Sequence, residues 1–108
     1  MIEFHIYFSH VKINKQLVLQ HTNIERCRYR LSGIIYFGGE HFTCSIVDRF
    51  DNVWYSNEMI SRGRFVFLTA INSINESDLF VVRNRGVVRH ACIVIYSKQC
   101  ISPIFTNG

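Results

Sequence analysis

The apolar residues of this sequence, many of them β-branched or aromatic, occur in short runs separated by polar breaks. This pattern most limits the folds available to the chain. Residues 28–37 begin with alternating polar and apolar positions and continue as an unbroken apolar run, and residues 91–96 are apolar throughout. Runs of this length and composition are typical of strands, and the unbroken ones are typical of strands buried within a sheet. The pattern therefore predicts a mainly β protein.

Gly38 and Gly39 form the strongest break between the runs, because two glycines open backbone conformations that other residues disfavour. After this break we predict a hairpin in which Val47 lies opposite Val53 across a turn at residues 48–52. Residues 69–78 fit a loop that holds one helical turn. The predicted strands are residues 2–8, 28–37, 41–48, 53–55, 64–68 and 91–96, with residues 16–19 and 79–82 as further candidates.

Together these strands predict a twisted antiparallel sheet of about six to seven strands with little helix. The 108 residues suit a single domain, 1–108, which no linker divides. A hydrophobic fraction of 48% beside 19% charged residues provides enough apolar material for a core without disulfide support. Residues 102–108 are predicted to be a tail.

Several classes of protein are disfavoured by the sequence. No apolar run approaches the ~18 residues of a membrane-spanning helix, and the N-terminal residues do not resemble a secretory signal. We therefore expect an intracellular protein of the cytoplasm or nucleus, with no membrane partner and with its four cysteines reduced. No histidine or cysteine pair has the spacing of a metal site, so neither a metal nor another cofactor is expected.

Arginines form two groups, but the net charge of +4 permits a nucleic-acid partner without requiring one. Such groups bind phosphates in some proteins, and in others they solvate an outer face or protect an edge strand. We favour solvation, because the charge is modest for a nucleic-acid binder. A small basic β-sheet module that binds nucleic acid or protein is the alternative function. The residues concerned are Arg26, Arg28 and Arg30, and Arg83, Arg85 and Arg89 with Asn84 and His90.

His41 is the first candidate for chemistry, because it opens a predicted strand directly after the glycine pair. Imidazole suits proton transfer near neutral pH, and it needs a partner that orients it. The predicted hairpin register places His41, Thr43 and Asn57 on one face, with His41 diagonal to Asn57 at about 7–8 Å between backbones. The alternative is that both are ordinary turn residues. The opposite face, predicted to be the core face, carries Phe42, Cys44, Ile46 and Trp54.

Residues 29–43 read Tyr-Arg-Leu-Ser-Gly-Ile-Ile-Tyr-Phe-Gly-Gly-Glu-His-Phe-Thr. This segment resembles the histidine box of the ubiquitin-specific proteases, which has Tyr-x-Leu-x-Gly, two hydrophobic residues, a glycine-rich stretch and His-Tyr-Thr. Trp54 and Tyr55 resemble the aromatic pair that follows the box, and Asn57 lies where the family has Asp or Asn. The specific match covers residues 29–57, and a looser match covers residues 13–97, including the last strand at 91–96.

The resemblance implies a fold, an activity and roles for several residues. The family consists of papain-like cysteine peptidases that cut the bond after ubiquitin's C-terminal glycine. By resemblance, the sheet is the β half of that fold, His41 is the general base and Asn57 is its orienting partner. Gly38 and Gly39 would form a mobile loop beside the substrate tail. Ubiquitin or a ubiquitinated protein would be the partner.

The sequence departs from the family at its nucleophile. The family's cysteine lies in an Asn-x-Cys-Tyr/Trp-hydrophobic-Asn segment, which this sequence lacks. Alternation directs Cys44 away from the face of His41, and no role as nucleophile is expected for Cys27, Cys92 or Cys100. A thiol enzyme does not work without its thiol. We therefore expect a fragment or degenerate copy of a deubiquitinating peptidase, a pseudoenzyme that is inactive alone.

Three further expectations follow from this comparison. The glycine-rich stretch is short and the usual Phe-Asp-Asp continuation is absent, so Glu58 and Asp48 compete with Asn57 as partner of His41. A missing N-terminal half is a second candidate partner, and its loss would leave an apolar face exposed. A self-contained enzyme that uses Cys44 is the third alternative, and it requires Cys44 and His41 on one face.

Overall fold

The computed structural model describes residues 2–6, 13–20, 26–57 and 64–99, which form eight strands and two short 3-10 turns. The 3-10 turns are Ile71–Ser73 and Glu76–Asp78, and neither is long enough to span a membrane. The predicted tail, 102–108, lies outside the described residues. The strands are β1 (Ile2–Ile6), β2 (Gln16–Gln20), β3 (Arg26–Gly38), β4 (His41–Val47), β5 (Asn52–Ser56), β6 (Val66–Ala70), β7 (Val81–Asn84) and β8 (Val87–Gln99).

Two long strands, β3 and β8, form the middle of a curled antiparallel sheet. Each has 13 residues, and the shorter strands pair along their outer edges. β8 pairs with β1 and β7, while β3 pairs with β2 and β4, and β5 and β6 continue from β4. The mainly β antiparallel prediction is confirmed. The sheet is six strands wide, and the count reaches eight because each long strand pairs with two short ones along one edge.

The hairpin of β4 and β5 has the predicted register, with Val47 opposite Val53. The Asp48 carboxylate accepts the backbone N–H of Phe50 at 2.8 Å and of Asn52 at 3.0 Å, and the indole N–H of Trp54 at 3.0 Å. A short polar side chain that bonds to the backbone two residues later is a common turn former. These hydrogen bonds close the loop, and they lower the pKa of Asp48, with the Trp54 indole as the largest cause.

Two other hairpins close with only two residues each. Gly38 pairs with His41 across Gly39 and Glu40, whose φ angles are 59° and 63°. Asn84 pairs with Val87 across the second turn, residues 85–86, whose φ angles are also positive. Two positive φ angles suit the twist of a tight hairpin, and glycine adopts them without steric cost. The predicted break at Gly38 and Gly39 is therefore a tight hairpin turn.

One face of the sheet is buried beneath the N-terminal side of β2 and the segment after β6. The Tyr36 hydroxyl donates a hydrogen bond to the Leu79 carbonyl, and the Tyr96 hydroxyl donates one to the Asn14 carbonyl, both at 2.8 Å. Burial raises the pKa of Tyr36, so its hydroxyl keeps the proton that it donates. The buried apolar residues are Ile13, Cys27, Tyr29, Leu31, Ile34, Tyr36, Val53, Ile71, Leu79, Ala91, Val94 and Tyr96.

The other face of the sheet is apolar but exposed, and the sequence-based choice of core face in the hairpin is wrong. Thr43 and Ser45 are 3% and 6% exposed, whereas Phe42 and Ile46 on the opposite face are 62% and 39% exposed. Cys44 is half-buried on that same outer face. Alternation holds along β4, but the covering segments pack on the Tyr36 side. We call the exposed surface the outer face; it carries Phe37, Phe42, Cys44, Ile46, Trp54 and Phe67.

Replacing Tyr36 with Phe should destabilise the chain by about 1–2 kcal/mol, because the buried Leu79 carbonyl then loses its donor. Tyr55→Phe is the matched control, since the Tyr55 hydroxyl is buried without a hydrogen-bond partner among the described residues. Its removal should change the free energy of unfolding by no more than about 0.5 kcal/mol, or should stabilise the chain. Urea unfolding measures both changes, and equal losses would contradict the assigned hydrogen bond.

Asp48→Asn should destabilise the chain at pH 7, because the amide keeps only one acceptor oxygen, and its nitrogen cannot accept the N–H groups that the second carboxylate oxygen accepts. The pKa of the Asp48 carboxyl is lower in the folded chain than in the unfolded chain. The ionised group therefore stabilises the fold at pH values above the unfolded pKa of about 3.9, and this stabilisation is lost as pH falls through the folded pKa. The stability difference between the parent and Asp48→Asn should therefore shrink between pH 5 and pH 2, measured by urea unfolding. Asp78→Asn, at an exposed carboxylate, controls for the change in net charge. A difference that stays constant with pH would refute the assignment.

Candidate functional site

A cleft of about 360 Å³ opens where the two tight hairpin turns approach the end of β5. The β3–β4 turn contributes Gly39, the β7–β8 turn contributes Arg85, and Asn57 follows directly after β5. The ends of several strands thus converge on one small volume, which is a common way to position polar side chains on a rigid scaffold. The lining residues are Gly39, His41, Asn57, Asn84, Arg85, Val87 and Arg89.

His41 and Asn57 line the same cleft. His41 is the first residue of β4 and is exposed, whereas Asn57 is only 5% exposed. Beyond the paired residues Cys44 and Ser56, strands β4 and β5 continue toward the cleft. His41 on the β4 side and Asn57 on the β5 side lie in that direction. An imidazole here is open to a ligand, and a buried amide next to the cleft offers both a donor and an acceptor.

The two glycines of the resemblance have different positions. Gly39 lies in the turn and lines the cleft. Gly38 is the last residue of β3, and a Cβ atom built on it would lie 2.2 Å from the Val88 carbonyl oxygen. Only a residue without a side chain allows β3 and the start of β8 to approach this closely. Mobility of this turn stays a prediction.

Asp48 does not compete with Asn57 for His41. It follows the last residue of β4, whereas His41 is the first, and an extended strand of this length separates its ends by roughly 20 Å. Its carboxylate is also occupied by the turn and by Trp54. Glu58, the other competing acid, lies outside the described residues.

The three cysteines within the described part of the chain lie away from the cleft lining. Cys27 is buried in the core, and Cys44 lies on the outer face, opposite in alternation to His41. The Cys92 thiol donates to the Ile35 carbonyl at 3.4 Å. Burial raises the pKa of both Cys44 and Cys92, which lowers the thiolate fraction at neutral pH. Cys100 lies outside the described residues.

The arginines near the second tight turn belong to the cleft, which the sequence reading did not anticipate. Arg85 and Arg89 line it together with Asn84, and Arg89 is only 5% exposed. The signal in the sequence is alternation, since Arg89 stands two residues before Ala91 on the buried face of β8. The charge of Arg89 therefore does not simply solvate an outer face.

The first arginine group behaves differently from the second. Arg26 and Arg28 are exposed on β3. Arg30 forms an ion pair with Asp51 at 2.6 Å and also donates to the Asp48 carbonyl. This guanidinium therefore ties β3 to the β4–β5 turn and lies far from His41.

Metal binding finds no support in the described residues, which contain no group of three or more histidine, cysteine or acidic side chains placed to hold an ion. Comparison with protein-family models, with curated proteins and with solved structures gives no match for this chain. The arguments for a function therefore come from the cleft and from the sequence motif.

Alkylation of Cys44 by iodoacetamide at pH 7 should be slow, because its pKa is raised, and should not depend on His41. We expect His41→Ala to change the rate by less than about twofold, since no imidazole contact lowers the pKa of the thiol. Peptide mapping by mass spectrometry measures the rate at each cysteine, with Cys92 as the internal control. A several-fold slower reaction of Cys44 in His41→Ala would revive the enzyme that uses Cys44.

Proposed function

We propose that this chain is a ubiquitin-specific-protease-like domain that retains the base histidine and binds ubiquitin or a ubiquitinated protein without cleaving it. The observation that carries the proposal is the shared cleft of His41 and Asn57 beside the Gly39 turn. These are the residues to which the histidine-box motif assigns the base, its partner and the substrate loop.

The chemistry of the cleft agrees with binding rather than cleavage. In a thiol peptidase, an amide oxygen orients the imidazole, and the imidazole takes the proton of the thiol. No cysteine of the described ranges lines the cleft, so His41 has no thiol there to deprotonate. The same imidazole can still hydrogen-bond to a bound peptide group.

The outer face supports a second part of the proposal, a partner that covers the sheet. Phe37 and Phe42 are 44% and 62% exposed and their ring centroids lie 4.6 Å apart, while Phe67 is 50% exposed beside Trp54. Clustered exposed aromatic residues are typical of surfaces that contact another protein element. A nucleophile-bearing half of the same domain type is the partner that the motif suggests.

Titration of the ¹⁵N-labelled chain with ubiquitin tests the proposal by NMR. We expect shift changes at Gly39, His41 and Asn57, and no release of fluorophore from a ubiquitin C-terminal fluorogenic substrate. His41→Ala and Asn57→Ala should each weaken binding about three- to tenfold, which corresponds to the loss of one or two hydrogen bonds. His90→Ala is the matched control, because His90 is exposed on the same strand as Arg89 but does not line the cleft.

Two outcomes would reject this function. Ubiquitin that produces no shift changes at millimolar concentration would remove the partner. Binding of generic DNA or RNA with a steep dependence on salt would instead favour the basic module, for which the convergence of Arg85 and Arg89 on one cleft is the supporting observation.

A further inference from the structure

Arg89 is a buried cation whose charge the described residues leave without a counter-ion. Its side chain is 5% exposed, and its Nε has no hydrogen-bond partner among these residues. A guanidinium stays protonated in proteins, so burial cannot remove its charge. A buried charge without a partner is strongly unfavourable, and such groups are normally paired or bind a ligand.

The guanidinium reaches the wall of the cleft. Its Nη2 lies 4.0 Å from the position where a Cβ atom on Gly39 would be, which places it beside the β3–β4 turn. Arg85 lines the same cleft from the β7–β8 turn. No acidic side chain of the described ranges lines this cleft. The cleft therefore carries two positive charges and no negative charge from these residues.

We propose that this cleft binds the carboxylate of a polypeptide C-terminus, with Arg89 as its main ligand and Arg85 as its second. The planar guanidinium matches a carboxylate through two parallel hydrogen bonds. The amide of Asn84 and the imidazole of His41 line the same cleft and supply the polar groups for the last peptide groups. The proposal goes beyond the proposed function, because any accessible C-terminus qualifies.

The composition of the cleft favours a carboxylate over a phosphate. A phosphate group carries nearly two negative charges and three strong acceptor oxygens, so its sites are usually rich in cations. Here two arginines share the cleft with Val87 and with neutral amides. A volume of about 360 Å³ accommodates a short terminal segment rather than a folded surface. A carboxylate, which has a single charge and ends an uncharged peptide, therefore fits these lining residues better than a phosphate does.

Acetyl-glycylglycine with a free carboxylate tests the proposal, because it presents a chain terminus without a side chain. NMR titration of the full chain should give a dissociation constant in the millimolar range, with shift changes at Gly39 and at the 85–89 segment. The same peptide with a C-terminal amide should bind at least tenfold more weakly. This comparison uses the unaltered protein, so it does not depend on whether a variant folds.

Arg89→Gln should weaken binding of the carboxylate peptide at least tenfold, because it removes the charge and the guanidinium fork. It should keep or raise the melting temperature, since a buried charge without a counter-ion among the described residues disappears. Arg83→Gln is the matched control: Arg83 is exposed on the same hairpin and does not line the cleft, so binding should change less than twofold. Equal effects of the two substitutions would overturn the assignment to Arg89.

Further results separate this proposal from its alternatives and from the proposed function. Equal affinity for the acid and amide peptides, or tighter binding of inorganic phosphate than of the acid peptide, would overturn it. Ubiquitin that binds equally well with its C-terminal carboxylate converted to an amide would also overturn it, while leaving the proposed function intact. Peptide binding that depends on the carboxylate, together with ubiquitin binding no tighter than that of acetyl-glycylglycine, would support this proposal and reject the proposed function.

Discussion

The antiparallel pairing of β3 with β8 is the interaction on which the rest of the structure depends. These two strands hold most of the buried apolar residues, and the other strands attach directly or through β4 to their edges. Tyr36 and Tyr96, one on each strand, also donate the hydrogen bonds that hold the covering segments at Leu79 and Asn14. The core and its cover are therefore built on the same pair of strands.

The cleft is a consequence of where these strands end. The β3–β4 turn and the β7–β8 turn lie at the same end of the sheet, because Phe37 pairs with His90 and Gly38 approaches Val88. The β4–β5 register then directs Asn57 to that same end. Residues that are distant in sequence thus share a small volume, and their positions are determined by backbone pairing rather than by flexible loops.

Burial on only one side gives the sheet two different faces. The covering segments pack on the side of Tyr36, so the small polar residues Thr43 and Ser45 are buried while Phe42 and Ile46 are exposed. In a free hairpin the hydrophobic effect would favour the reverse arrangement. The outer face is therefore the surface that the proposed partner would cover.

Apart from residues 87–90 of β8, local sequence patterns predicted the approximate positions of the strands, the breaks between them and the Val47–Val53 register, because alternation and turn residues act over a few neighbours. They also placed His41 and Asn57 on one face of the hairpin. Which face is buried was decided only by the tertiary structure, since it depends on contacts with Ile71 and Leu79 from far along the chain. The burial of Arg89 and its place in the cleft were decided in the same way. Strand pairing between β3 and β8 brings these groups together, and no local pattern specifies that pairing.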